Sequence, residues 1–378
     1  MQYTRKLRAQ WELASRVSYD RYGYDGDYIY GSDDESPASR VDNKDFARGN
    51  SWGAEAKASR RVARIQRVAL GAEYRNNFRQ DQYNYDLNPY MQYLDDRRAS
   101  QNWALYGQDE ITLHPKLLLN LGVRHDRYES FGGTTNPRVA LIYYPQRSTT
   151  LKILYGDAFR APNAYELYWK QPDVAKANPR LRPETNQTGE VVVEHYLDSR
   201  FRVAATSFYY HINDLITQQT DPADGLLVYN NIDEVNARGL ELEAEGKWPR
   251  GLQGRVSYTF QHSRNEMTGA ALTNSPAHLV QFNLMMPLLK GAGSAGVEFQ
   301  YVGPRRTLTG QSVGGVFLPN VTLISRRLSR NMELSASMYN VTNATYSDPG
   351  SEEHRQDSIV QDGRNFRVRL TYHFRHGN

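Results

Sequence analysis

The sequence has no cysteine among its 378 residues, which excludes a disulfide framework, a thiolate nucleophile and any cysteine metal site. It also has no run of about 18 apolar residues, so no transmembrane helix is encoded. The opening stretch Met1–Gln10 lacks the apolar centre of a signal peptide. Apolar residues are scarce: at 39% hydrophobic the chain falls below the roughly 45–50% of ordinary globular chains, so its apolar surface must be placed economically. A charge of one sign is missing too, with Lys+Arg 46 against Asp+Glu 42. No zinc-finger spacing or basic helix accompanies the small excess, and no nucleic-acid partner is expected. No H-E-x-x-H or P-loop is present and the nine histidines are scattered singly, so the chain is read as a non-enzyme with no cofactor and no metal site.

What the sequence does have is tyrosine, 27 of them, beside 12 Phe and 5 Trp, amphipathic rings that suit strands and membrane interfaces. About sixteen segments of roughly ten residues alternate apolar and polar side chains, the length a tilted strand needs to cross a bilayer. Leu117, Leu119, Leu121 and Val123 alternate with Asn120, Gly122 and Arg124. Leu240, Leu242 and Ala244 alternate with Glu241, Glu243 and Glu245, and Val256, Tyr258 and Phe260 with Arg255, Ser257 and Thr259. Asp109 interrupts the apolar set of its own segment. Near the end, Phe366, Val368, Leu370, Tyr372 and Phe374 alternate with Arg367, Arg369, Thr371 and His373, giving a ribbon with one apolar and one cationic face.

The connections alternate as well. Short turns at Val62–Ile65, His114–Lys116, Pro145–Thr149, Leu197–Arg200 and Pro249–Gln253 are separated by longer polar segments. The long set comprises Asp25–Asn50, Arg79–Arg98, Phe159–Glu184, Ser263–Ser275, Gly303–Gly315 and Thr345–Asp362. Long loops at one end and tight turns at the other are the mark of an up-and-down barrel of the outer-membrane kind. A soluble four-bladed propeller also has about sixteen strands but requires a repeat of roughly 40–50 residues, and none is visible. Three glutamates in alternation suit a watery interior better than a packed one. The expected fold is all-β, a transmembrane antiparallel up-and-down β-barrel.

The segment Tyr155–Trp169, with Phe159-Arg160-Ala161-Pro162-Asn163, and the segment Asn178–Leu197, with its N-P-x-L-x-P-E order, resemble two motifs that flank one extracellular loop in TonB-dependent outer-membrane receptors. Tyr229–Gly246, Tyr339–Pro349 and Gly363–Phe374 are similar to further parts of that family. The resemblance implies an outer-membrane location in a Gram-negative bacterium and uptake of a scarce, bulky ligand, a ferric siderophore first among the metal chelates. The terminal strand is implied to be read by the barrel-assembly machinery, with outer-membrane lipid around it. The family's barrel has about 22 strands and an N-terminal plug that contacts the TonB complex. Against that pattern, residues 1–378 are expected to be one domain, the C-terminal part of the barrel, with the plug and roughly the first six strands missing. Such a chain is not expected to transport actively by itself. A passive porin-like channel and an outer-membrane barrel hydrolase are the competing readings.

Ligand contacts are expected from aromatic and arginine side chains near the long loops: Arg160, Asn163, Tyr165, Tyr168 and Trp169 in the motif segment, Tyr85 and Tyr90 in the second long connection, and Arg305 and Arg306 in a later one. Glu184 is placed to pair with Arg180 or Arg182. Acidic runs at Asp25–Asp27 and Ser32–Glu35 offer oxygen ligands for calcium, with a spacing that matches no calcium loop.

Overall fold

The computed structural model describes residues 1–7, 10–30, 41–288, 292–329, 331–351 and 354–374. The Ser32–Glu35 run and the terminal 375–378 lie outside the described residues.

Strands dominate. In chain order they are β1 (Gln2–Lys6), β2 (Trp11–Tyr30), β3 (Val41–Val62), β4 (Gln66–Leu87), β5 (Tyr90–His114), β6 (Leu117–Tyr128), β7 (Gly132–Gln146) and β8 (Thr149–Arg160). A short helix α1 (Ala164–Tyr168) follows, then β9 (Ala175–Lys176), β10 (Glu184–Tyr196), β11 (Phe201–Thr220), β12 (Leu227–Lys247), β13 (Gln253–Asn265), β14 (His278–Leu288) and β15 (Gly293–Val302). The last are β16 (Arg305–Arg306), β17 (Ser312–Val313), β18 (Val316–Ser329), β19 (Met332–Tyr339), β20 (Ser347–Pro349), β21 (Ser358–Val360) and β22 (Asn365–Tyr372). Among the described residues the sixteen long strands expected from alternation are there, and β1 and β9 bring the main sheet to 18.

The chain divides into two compact units, Met1–Leu141 with Leu154–Thr188 and Ile212–Glu234, and Ile142–Ile153 with Gly189–His211 and Val235–Asn378. In the first, β1 to β6 form an antiparallel meander, each strand paired with the next. Leu70, Leu105 and Val123 stand exposed on one face. The other face carries charge: the Arg124 guanidinium bonds Asp126 at 2.9 Å and also Glu73, and Tyr106 Oη donates to Glu55 at 2.7 Å. Gly71 lies opposite Tyr106, and a Cβ there would fall inside the tyrosine ring, so only glycine lets that ring cross the strand toward Glu55. An apolar face left bare beside a satisfied polar one is stable only when the solvent on the bare side is hydrocarbon. Trp52, Tyr74 and Trp103 mark one boundary of this band across β3–β5, with Trp52 and Tyr74 5.3 Å apart. Trp11, with Arg60 stacked 5.7 Å from its ring, lies at the tight-turn end. Asp109, the interruption in the apolar pattern, accepts a hydrogen bond from Gln66 at the first residue after the β3–β4 turn, where headgroup and water replace hydrocarbon.

In the second unit β12, β13, β14, β15, β18, β19 and β22 pair in antiparallel sequence. Its exposed face bears Leu240, Leu242, Val256 and Leu323, and a stacked row of Phe282, Phe299 and Phe317 at 5.4 and 5.6 Å. On the polar face Arg202 donates to Glu194 at 2.8 Å and to Glu243 at 2.5 Å, Arg255 also reaches Glu243, and Lys152 holds the second oxygen of Glu194 at 3.1 Å. Glu243 and Glu245 of the alternating set are thus partnered by cations across neighbouring strands, which is how carboxylates persist on one face of a sheet. On β22, Phe366, Val368, Leu370 and Tyr372 are exposed at 50% or more, as is Phe374 just after it.

Tight turns join β3–β4, β5–β6, β7–β8, β10–β11 and β12–β13 as expected. Two of the long connections are different from expectation. Asp25–Tyr30 and Val41–Asn50 are paired strand, and β4 and β5 run on to Leu87 and Tyr90, so Arg79–Arg98 is a hairpin rather than a loop. Roughly 9–11 residues cross a bilayer, so these hairpins stand well beyond the Trp52–Trp103 boundary. Asp25 and Asp27 pair there with Arg48 and Lys44, which assigns the first acidic run to cross-strand ion pairs.

Candidate ligand-binding face

The motif segment folds around Arg160. At the end of β8 its Nε and Nη2 donate to the two oxygens of Glu184 on β10, both at 2.7 Å, while Nη1 donates to Glu166 at 2.8 Å. Glu166 also accepts from the Asn163 backbone N–H at 2.8 Å, and the Asn163 carboxamide oxygen accepts from the Glu166 N–H at 2.9 Å, a reciprocal cap that starts α1. Arg160 and Asn163, expected at the ligand, are therefore engaged in holding the loop. Glu184, expected to pair with Arg180 or Arg182, instead serves Arg160 and accepts the Ile216 N–H at 2.8 Å, whereas Arg182 pairs with Asp214. The reason is geometric: the bidentate fork of arginine fits one carboxylate and leaves a third nitrogen for another.

Thus braced, α1 lies against the polar face of the β4–β5 hairpin. Gln82 donates to the Ala164 carbonyl at 2.9 Å, and the Arg98 guanidinium sits 3.5 Å from the centre of the Tyr168 ring. Leu167, Leu181 and Ile216 close a small apolar core beneath, with Tyr168 and Tyr229 packed on it. Tyr165 stacks on Trp169 at 5.1 Å and turns toward a cleft of about 620 Å³. Tyr22, Tyr24, Asp45, Arg75, Arg79 and Tyr165 are among its walls. Burial raises the Asp45 carboxyl above its usual range, with the Trp169 side chain pulling the other way. Farther along the same strands, buried Asn43 donates to Asn84 at 3.0 Å and to Asp86 at 2.8 Å, which locks β3 to β4 beside the cleft.

Tyr85 and Tyr90 are not part of this face. Tyr85 packs on Phe46 and Tyr90, and Phe46 stacks on Tyr83 at 4.6 Å with Arg97 above it, on the opposite side of the same hairpin. The sequence treated Arg79–Arg98 as a loop, where parity carries no information; as a ladder, parity separates Gln82 and Asn84 from Tyr83. Gln82 and Asn43 were missed for the same reason, whereas Arg98 is legible as one of the arginines near the long loops. In the second unit Arg305 is nearly buried and bonds Asp348 at 2.6 Å and Asn274 at 3.2 Å, tying loops together, while Arg306 follows it in the β16–β17 hairpin. Residues Gly310–Gly314 spell G-x-S-x-G, yet Ser312 lies in β17 opposite Arg306, not at a strand-to-helix elbow. No histidine or carboxylate bonds its hydroxyl among the described residues.

The loop between β11 and β12 is held by Lys176 on β9, whose Nζ reaches Asp221 at 2.5 Å and Asp224 at 2.8 Å. The Lys176 ammonium, helped by the N–H groups of Ala223 and Leu226, holds both carboxyls below the ordinary aspartate range. A carboxyl depressed in the folded state stabilises above its unfolded value, near 3.9, and loses that contribution as pH falls through the lower folded value. Backbone amide exchange at residues 221–228 is expected to stay slow from neutral pH down to about 4 and to quicken below it, and Lys176→Ala is expected to quicken it at neutral pH. Equal exchange in both proteins at neutral pH contradicts the assignment.

Comparison with known proteins places this architecture. The family model "TonB dependent receptor-like, beta-barrel" matches residues 1–341. The vitamin B12 transporter BtuB of Vibrio cholerae is 29% identical over 192 residues, covering 50% of this chain and 29% of that protein. The iron-regulated outer membrane virulence protein of Vibrio cholerae is 25% identical over 302 residues, 73% of this chain and 45% of that one. The chain thus spans less than half the length of these relatives. Among solved structures, the copper transporter OprC superposes with a TM-score of 0.80 at 17% identity, covering 99% of this chain and 64% of its own. The ferric enterobactin receptor PfeA of Pseudomonas aeruginosa gives 0.75 at 17%, covering 98% and 60%. The antiparallel all-β architecture agrees with those folds, and the chain belongs to the TonB-dependent receptor-like β-barrel family, in the outer membrane of a Gram-negative bacterium.

Proposed function

We propose that this chain is barrel wall and outer loops of a receptor that captures a scarce, bulky metal chelate, with a ferric siderophore as its ligand. The observation that carries the reading is the cleft beyond the aromatic boundary, where Tyr22, Tyr24 and Tyr165 offer ring faces beside Arg75. That combination suits an anionic aromatic chelate, because rings stack on rings and guanidinium forks take acidic oxygens. Tyr168, Trp169, Arg160 and Asn163 then act by holding Tyr165 in place, and Arg305 and Arg306 by shaping a loop of the second unit. Energy-coupled passage through the TonB complex is assigned to a plug outside these residues. β22 is assigned to recognition by the barrel-assembly machinery, through Phe366 to Phe374. The proposal makes the chain a receptor rather than an enzyme, and steady conductance of the unliganded protein in planar bilayers would favour a passive channel instead.

Quenching of tryptophan fluorescence tests the ligand. A ferric catecholate is expected to bind the purified protein more tightly than cyanocobalamin or haem. Tyr165→Ala is expected to weaken it by about tenfold or more, the loss of one or two kcal/mol of stacking. Tighter binding of cyanocobalamin would move the reading to a cobalamin receptor.

A further inference from the structure

The outward face of β11–β14 carries polar side chains that chelate uptake leaves without a task. Register sets Leu240 opposite Phe260, Arg238 opposite His262 and Asn236 opposite Arg264, while Phe260 meets His278 on the next strand. These residues alternate with Glu241 and Glu243 and so share the face of Leu242 and Val256, which is the exposed apolar one. Moving away from the tight β12–β13 turn, that face passes from Leu242 and Val256 through Leu240 and Phe260 to Arg238, His262 and Arg264. Tyr209 Oη donates to the Asn236 carboxamide oxygen at 2.8 Å, with His211 Nδ1 2.7 Å from the same atom, and Tyr258 Oη lies 2.9 Å from His278 Nδ1. Rings and hydroxyls of this kind mark the edge of the hydrocarbon.

Opposite side chains on an antiparallel pair have Cβ atoms about 4.5–5.5 Å apart and diagonal ones about 7–8 Å, so Arg238, His262 and Arg264 crowd one small area. Arg238 and Arg264 are exposed, and among the described residues neither has an ion-pair partner. The carboxylate on this face of β12 is Glu234, two residues beyond Asn236. Juxtaposed cations repel unless an anion enters. At this height the surroundings supply one class of anion, the phosphates of lipid headgroups. Short turns of outer-membrane barrels are periplasmic, which puts the cluster, at the other end of the strands, in the outer leaflet.

We propose that Arg238 and Arg264, flanked by His262 and His278, bind the phosphate groups of an outer-leaflet glycolipid whose acyl chains lie along Leu240, Leu242, Val256 and Phe260. The guanidinium fork matches phosphate oxygens bidentately, and the imidazoles add N–H donors.

Native mass spectrometry of the purified protein in mild detergent, titrated with bis-phosphorylated lipid A, its dephosphorylated form and inorganic phosphate, tests this. The phosphorylated lipid is expected to be retained about tenfold or more tightly than the dephosphorylated one, and an Arg238→Gln/Arg264→Gln variant is expected to lose that preference while keeping the heat-modifiable mobility of a folded barrel. Equal retention of the two lipids by the unaltered protein overturns the proposal without any variant. So does a preference that survives in the double variant, or displacement of the lipid by equimolar inorganic phosphate, which would make the cluster a free-anion site.

Discussion

Replacing Leu370 by arginine is expected to destabilise the inserted barrel by about 1–3 kcal/mol, between the cost of an arginine on the lipid face at the midplane and at the interface, because Leu370 pairs with Leu334 two residues into β19. Replacing its neighbour Arg369 by leucine is expected to change little. Leu370 is 58% exposed and lies across from Leu334, while Arg369 lies across from Ser335 on the other face of the same ladder. The two positions differ in nothing but the side they present, so a difference between them isolates the solvent on each side. Urea-dependent unfolding from bilayers, read by tryptophan fluorescence, supplies the measurement. Equal losses in the two variants contradict the facing.

The second large effect belongs to Arg160. Its removal leaves Glu166 and Glu184, with side chains 11% and 13% exposed, without the guanidinium that both face. Stranding a buried charge costs about 3–5 kcal/mol, and the 43% exposure of Arg160 itself lowers the expectation for Arg160→Ala to about 1–3 kcal/mol. Because Glu184 also holds the Ile216 N–H and Glu166 caps α1, the loss spreads to the loop. New proteolytic cuts between Ala161 and Pro183 are expected. Arg160→Lys restores one charge but not the fork, and is expected to fall between the two. A variant as resistant as the parent would show that the apolar contacts of Leu167 hold α1 unaided.

Why the strands were legible and the site was not follows from the same alternation. Where one face meets hydrocarbon, as at Leu240 to Ala244, every second residue must be apolar and the pattern writes itself into the chain. Beyond the Trp52–Trp103 boundary both faces meet water, so Asp25–Asn50 and Arg79–Arg98 read as polar loops although their backbone pairs continue. The motif around Arg160 was visible as residues, but its partners are 6 and 24 positions away, and no local period announces them. The split of Tyr85 from Tyr165 depends on strand parity through a bulge at Asn84/Tyr85, which only the fold defines. The cationic group at Arg238, His262 and Arg264 interrupts the apolar alternation of β12 and β13 at the point where the bilayer ends.

The absence of cysteine makes the central claim directly measurable. Single cysteines placed in turn from Leu240 to Glu245 and spin-labelled in lipid bilayers report their surroundings through relaxation by dissolved oxygen and by a water-soluble nickel chelate. Oxygen is predicted to dominate at Leu240, Leu242 and Ala244, and the nickel chelate at Glu241, Glu243 and Glu245. Six positions equally accessible to the nickel chelate, or a period of two with the opposite phase, would contradict an apolar face turned to lipid and the receptor reading built on it.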